Sequence, residues 1–153
     1  MTVLFGNRPG SFRKPGVDFI YFAFVTILMC AGNSNSKKGL IVREPFATLI
    51  VEGKKTWEIR KSRTKVRGEV LILSGGKAVG SAELVDVLGP FTPEELARHG
   101  DKHLVDADFL REYSGGKPLY AWVFRNAKKF EGPRKVRVAR GAQVWANVVV
   151  EDE

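Results

Sequence analysis

Eight consecutive residues hold the densest chemistry of the chain: Gly53-Lys54-Lys55-Thr56-Trp57-Glu58-Ile59-Arg60. As an extended strand this segment puts Thr56, Glu58 and Arg60 on one face and Lys55, Trp57 and Ile59 on the other. Glu58 and Arg60 are then neighbours. A carboxylate beside a guanidinium either presents acceptors and donors to the edge of a base or simply holds its partner in place. Alternation sends Lys55 away from both, so a common site requires Lys55 to precede the strand, in the turn just past Gly53. On spacing alone, the plainer reading is a solvated charged face with Trp57 in the core.

Other constellations carry less. His99 and His103 are four apart, but Gly100 interrupts a helix between them and no third ligand is placed, so no metal site is expected. The single cysteine, Cys30, cannot close an internal disulfide, which suits a reducing compartment. No Ser/His/Asp order or cysteine nucleophile is visible. Ser74-Gly75-Gly76-Lys77 lacks the spacing of a phosphate loop and reads as a hairpin turn, although the Ser74 hydroxyl lies at a strand end where a ligand could use it. The 25 Lys and Arg against 17 Asp and Glu favour anionic partners. The excess is concentrated: ten basic residues against four acids between Lys37 and Glu69, and seven against one between Arg125 and Gly141. If a closed sheet brings these clusters together, Lys65 and Arg137 belong to one phosphate-tracking surface; an ordinary basic surface is the alternative. Trp57, Tyr120, Trp122 and Trp145 are stacking candidates, yet tryptophans on alternating strands more often lie in the core.

The elements that must position these residues follow from pattern. Leu40-Ile41-Val42 is a short buried strand; Pro45 suits a first helical turn, and Phe46, Leu49 and Ile50 have helical spacing before Gly53. Lys54–Arg60 and Val70–Leu73 are strands, and Ala78–Leu88 is a long one with a bulge expected at Gly80 and an end at Pro90. Thr92, Pro93 and Glu95 form an N-cap, first-turn proline and capping box, with Gly100 stopping that helix. Asp106–Tyr113 is a second helix. Leu119–Phe124, Arg134–Val138 and Val144–Val150 complete a mainly antiparallel α+β set, best closed into a small barrel because closure removes exposed edges.

The first 36 residues read differently. Arg8, Arg13 and Lys14 precede an apolar run, Phe19–Ala31, which imitates an export signal but is shorter than the ~20 residues of a spanning helix. An export signal, a membrane tether and an upstream stretch ahead of a start at Met29 are the three readings, of which the last is favoured. Residues 1–36 are therefore expected to be an extension, and residues 37–153 the folded domain, cytoplasmic and without stable membrane association.

Residues 53–60 resemble the G-x-K-x-x-E-x-R signature of the ASCH domain, a branch of the PUA-like superfamily. The flanking Val79-Gly80-Ser81-Ala82-Glu83-Leu84-Val85-Asp86 and Tyr120-Ala121-Trp122-Val123-Phe124 strands agree in order and spacing, so the resemblance spans Gly39 to Val150. It implies a PUA-like β-barrel with a cleft beside the first helix, and binding of RNA or a modified nucleobase or nucleoside by Lys55, Glu58 and Arg60, without metal or cofactor. It also raises a catalytic alternative. Some bacterial ASCH proteins resemble amidohydrolases of acetylated cytidine that use a lysine, a threonine and a glutamate. Lys55 matches the lysine, but the threonine position is Glu58, which lacks a hydroxyl nucleophile, and Asp101 is an uncertain match for the acid. Ribonuclease action would instead use Lys55 to stabilise a phosphorane and Glu58 as base. Binding ranks above either catalysis.

Overall fold

The computed structural model describes residues 36–151. The expected extension over residues 1–36 lies, but for Ser36, outside them. Ten elements follow in order: β1 (Ser36–Ile41), α1 (Phe46–Val51), β2 (Trp57–Arg60), β3 (Gly68–Ser74), β4 (Lys77–Phe91), α2 (Pro93–Ala97), α3 (Gly100–His103), α4 (Ala107–Ser114), β5 (Leu119–Val138) and β6 (Trp145–Val150). The strands form one sheet in the order β2-β5-β4-β3-β1-β6, and β6 also pairs with β5, closing the sheet into a ring. Only the β1–β3 ladder is parallel among the registered pairs. The expected mixed, mainly antiparallel α+β barrel with short inserted helices is thus the observed architecture.

Two strands run further than their sequences suggest. The polar stretch from Arg125 to Pro133 reads as a break, yet β5 continues through it as one 20-residue strand. Its register on β4 jumps from Gly80↔Lys129 to Ala78↔Arg134, so Pro133 lies in an irregularity where its missing N–H breaks no ladder bond. Likewise β4 passes Pro90 and ends at Phe91, because the register shifts between Leu88 and Phe91. The bulge expected at Gly80 is present, and its cause is steric: a Cβ there would lie 2.2 Å from the Lys128 carbonyl and 2.7 Å from Val51 Cγ1. Gly80 lets both Val51 of α1 and the Lys128 carbonyl of β5 crowd the place where a side chain would begin.

The helices also differ in detail. Thr92, Pro93 and Glu95 form the full expected capping box. Gly100, however, begins α3 instead of ending α2, which stops at Ala97. Pro45 is the N-cap of α1 rather than its first residue, and the Glu44 carboxylate accepts from the Thr48 amide at 2.9 Å. One core cluster fills the barrel between α1 and the sheet, with Leu40, Ile50, Ile72, Leu84 and Trp122 all at most 1 % exposed. A second joins Leu96 of α2 and Leu110 of α4 to Trp57 and Ile59 of β2. Between these two cores Phe46 of α1 meets Phe109 of α4 beside Glu58 and Ile59 of β2, the strand that carries the charged residues of the signature.

Candidate functional site: a buried Lys-Glu-Arg cluster beneath an aromatic cavity

The condition set by alternation is met: Lys55 lies outside β2. Gly53 turns the chain at φ 78°, and the amides of Lys54 and Lys55 both donate to the Leu49 carbonyl at 3.0 Å, wrapping the segment around the end of α1. Thr56 then joins α3, its amide donating to the Lys102 carbonyl at 2.9 Å. Lys55 is thereby directed inward, its side chain 0 % exposed. The ammonium donates to the His103 carbonyl at 2.5 Å, lies 3.5 Å from Glu58 Oε1 and sits 4.7 Å from the centroid of the Phe46 ring. An ammonium has three N–H groups, and these are three electron-rich partners for them. Burial lowers the Lys55 pKa from 10.5 to about 8, against the opposing pull of Glu58.

Arg60 holds the other oxygen of the same carboxylate. Its Nε and Nη2 lie 3.1 and 2.9 Å from Glu58 Oε2, and Nη2 also donates to the Ile41 carbonyl at 2.8 Å, fastening β2 to the end of β1. The guanidinium lies 5.6 Å from the Trp122 ring, which in turn stacks on Trp145 at 5.6 Å and donates from Nε1 to the Ser62 carbonyl. Trp122 and Trp57 are buried, so these two expected stacking candidates serve the core; Tyr120 and Trp145 are half-buried.

Above Glu58 opens a cavity of about 100 Å³, lined by Arg43, Phe46, Ile59, Val105, Phe109, Leu110 and Tyr113 as well as Glu58 itself. Phe109 meets Phe46 edge-on at 6.3 Å and stacks on Tyr113 at 6.0 Å. It is nonetheless 45 % exposed, a large aromatic left at the mouth. Burial raises the Tyr113 pKa, Arg60 opposing and Glu58 reinforcing the shift, so the phenol keeps its proton at neutral pH. The His103 ring is fully buried: Nε2 lies 2.6 Å from the Leu96 carbonyl and Nδ1 accepts from the Val105 amide at 3.0 Å. These contacts fix the neutral tautomer with hydrogen on Nε2, and burial lowers its pKa. Both ring nitrogens are thus engaged by the backbone.

Lys55, Glu58 and Arg60 are therefore brought together, and the remaining sequence candidates are not joined to them. Ser74 lines a separate cavity of about 100 Å³ with Ile41, Leu73, Gly75, Gly76 and Val138. Lys65 lines an open cavity in the loop after β2, whereas Arg137, on β5, lies 3.5 Å from Glu151. The two basic clusters do meet, but at Glu52, whose carboxylate takes Lys54 at 3.2 Å and Lys129 at 2.9 Å. Asp101 is exposed in the first turn of α3. Sequence reasoning missed Arg43, Phe46, Phe109 and Tyr113 as cavity residues. The available signal was the i, i+4 pair Phe109/Tyr113 on α4, which read only as a packed helix face.

The ASCH domain family model matches residues 40–134. Three solved structures of the ASCH protein from Zymomonas mobilis are similar in fold. A tyrosine-to-phenylalanine variant is 21 % identical with a TM-score of 0.58, covering 64 % of this chain and 74 % of its own. A serine-to-alanine variant is 22 % identical with a TM-score of 0.56, covering 64 % and 72 %. The unsubstituted protein is 21 % identical with a TM-score of 0.55, covering 67 % and 72 %. No curated protein sequence matches the chain. Among the described residues no helix is long and apolar enough to cross a membrane.

Proposed function

The chain belongs to the ASCH-domain family, within the PUA-like superfamily, and on that premise we propose that it is an RNA- or nucleoside-binding protein that admits one base into the cavity between α1 and α4. The observation that carries this reading is an acceptor-only carboxylate, fixed by two cations, on the floor of an aromatic-walled cavity. Size limits the guest. At about 100 Å³ the space falls below the ~300–1,000 Å³ of sites for drug-sized ligands, so it suits a single ring and not a whole nucleotide. Counting hydrogen bonds limits it further. Of the roughly four lone-pair positions of a carboxylate, Arg60 uses two on Oε2 and Lys55 faces one on Oε1. Glu58 therefore accepts a single N–H from the edge of the base, while the protonated Tyr113 hydroxyl can donate or accept beside it.

Hydrolysis of a modified nucleoside is the second reading, favoured by one observation: a lysine whose pKa is lowered to about 8. Its geometry ranks it lower. The Lys55 ammonium is sealed behind Glu58, where it orients the carboxylate, and does not line the cavity. The reading places the protein in the cytoplasm, as its single cysteine suits.

A calorimetric titration with a panel of plain and modified nucleosides tests the proposal, using wild type and Phe109→Ala. At least one nucleoside should bind. Removing the exposed ring should weaken it by ~1–3 kcal/mol, the range for loss of one base–aromatic stack, with little change in stability. Absence of binding at millimolar nucleoside would refute the reading, and turnover of acetylated cytidine by wild type would replace it with the hydrolase.

A further inference from the structure

Charge pairing divides the basic residues of this protein into two groups. Lys37 pairs with Glu69, Lys54 and Lys129 with Glu52, Arg125 with Glu83, and Arg137 with Glu151. These pairs are half-exposed and largely cancel each other's field beyond a Debye length. Arg63, Lys65 and Arg67 belong to the second, larger group, the basic residues that have no carboxylate within 4.0 Å among the described residues, and within it they are set apart by where they converge. All three converge on one open cavity of about 530 Å³, whose only other lining residue is Thr64.

The loop is also held in shape by its own arginines. Arg63 donates to the carbonyls of Gly89 and Val87 on β4 at 3.2 and 3.3 Å and lies 5.4 Å from the Tyr120 ring. Arg67 Nη1 donates to the carbonyls of Thr64 and Val66 at 3.0 and 2.8 Å, and the Val66 amide donates to Thr64 Oγ1. Each guanidinium has five N–H donors and uses two in these contacts. Three remain on each arginine, already oriented, beside the free ammonium of Lys65. Forked donors fixed before binding are what phosphate oxygens need, because little side-chain entropy is left to lose.

The loop starts at the wall of the base cavity. Lys61 Nζ sits 4.7 Å from the centroid of the Tyr113 ring, and Tyr113 lines that cavity. From Lys61 to Lys65 the backbone spans at most about 14 Å, a length matched by up to about four stacked nucleotides. We infer that residues 61–67 form a phosphate-binding track for the strand whose base enters the cavity, with Arg63, Lys65 and Arg67 taking successive phosphates of single-stranded RNA. This inference rests on the base-binding reading for the point where the strand starts, and adds the direction it takes and the groups that hold it.

The test measures a five-nucleotide single-stranded RNA by fluorescence anisotropy across 25–300 mM salt, and the best-binding nucleoside by calorimetry, on the full chain. The variants are Lys65→Ala, which removes no hydrogen bond within the protein, Lys65→Ala/Arg67→Ala and Phe109→Ala. Each lost phosphate contact should flatten the slope of log affinity against log salt by ~0.7 on single strands, so the double variant should lose roughly 1.4. Nucleoside affinity should be unchanged in both loop variants. An unchanged slope in both, with RNA still bound, overturns the track. If the loop variants flatten the slope while Phe109→Ala alters neither ligand, the base reading fails and the track stands. If wild type does not bind the RNA at the lowest salt, the track falls, and the nucleoside titration alone decides the base reading.

Discussion

Lys55→Met tests whether the signature lysine is a sealed ammonium or an accessible group. Lowering a lysine from 10.5 to about 8 by burial corresponds to about 3 kcal/mol between its charged and neutral forms in the fold. The sign follows from proton counting. Between those two pH values the unfolded chain holds the lysine proton and the folded chain does not, so raising the pH favours folding. The contribution is fully present above about 10.5 and is lost as the pH falls through about 8. Lys55→Met has no such proton. Urea unfolding of both proteins at intervals from pH 7 to 10.5 should therefore show wild type gaining about 3 kcal/mol on the variant, at similar m-values. At pH 7 the variant itself loses ~1–3 kcal/mol from the orphaned His103 carbonyl, offset by the vanished cost of a buried charge. An amine-reactive reagent at pH 8 gives a second view. Its lowered pKa makes Lys55 the better nucleophile, but its fully buried side chain should leave it the least labelled lysine. Parallel pH profiles, or ready labelling of Lys55, would refute the sealed geometry and return the lysine to the list of reacting groups.

Glu58→Gln should cost stability as well as binding, ~3–5 kcal/mol by denaturant midpoint, because it leaves Lys55 as a buried cation, and Arg60 as a partly buried one, without their shared carboxylate. An undiminished midpoint would mean that the three charges are solvated. Wild type should lose stability as the pH falls below about 6.5, the ordinary histidine value, since His103 is held neutral by burial; the sign is that of a lowered pKa, with stability present above the unfolded value. His103→Gln should remove that acid-side slope, and thermal midpoints from pH 7 to 5 would show it. Gly80→Ala should destabilise by ~1–3 kcal/mol or more, since its Cβ would overlap the Lys128 carbonyl and Val51. A thermal midpoint within a degree of wild type would show that α1 can give way.

The placement of Lys55 was legible because backbone geometry dictates it: strict alternation leaves one position from which it can join Glu58, and Gly53 supplies the turn. The capping box of α2 was legible for the same local reason. What could not be read was anything set by distant pairing. Nothing within Arg125–Pro133 announces a strand; the segment is extended because β4 lies beside it and the register skips the proline. The cavity walls are a stronger case. Phe46 and Phe109 are 63 residues apart, and each has the spacing of an ordinary core helix. Only the meeting of α1 and α4 beside β2 turns two helix faces into the walls of one cavity.

Net charge illustrates how far composition reaches. An excess of eight positive charges predicts an anionic partner but not its address. Counting basic residues along the sequence gave Lys65 and Arg137 equal weight, one from each cluster. In three dimensions they differ: Arg137, 78 % exposed, faces Glu151, whereas Lys65 shares its cavity only with Arg63, Thr64 and Arg67. A cation with a carboxylate neighbour must exchange that partner to bind a phosphate; one without it only releases counterions. Arg137→Ala should therefore leave the salt dependence of RNA binding close to wild type, where Lys65→Ala flattens it. Equal flattening by the two substitutions, measured in the same anisotropy titration, would mean that local pairing does not set where the strand binds and that the whole basic surface attracts it evenly.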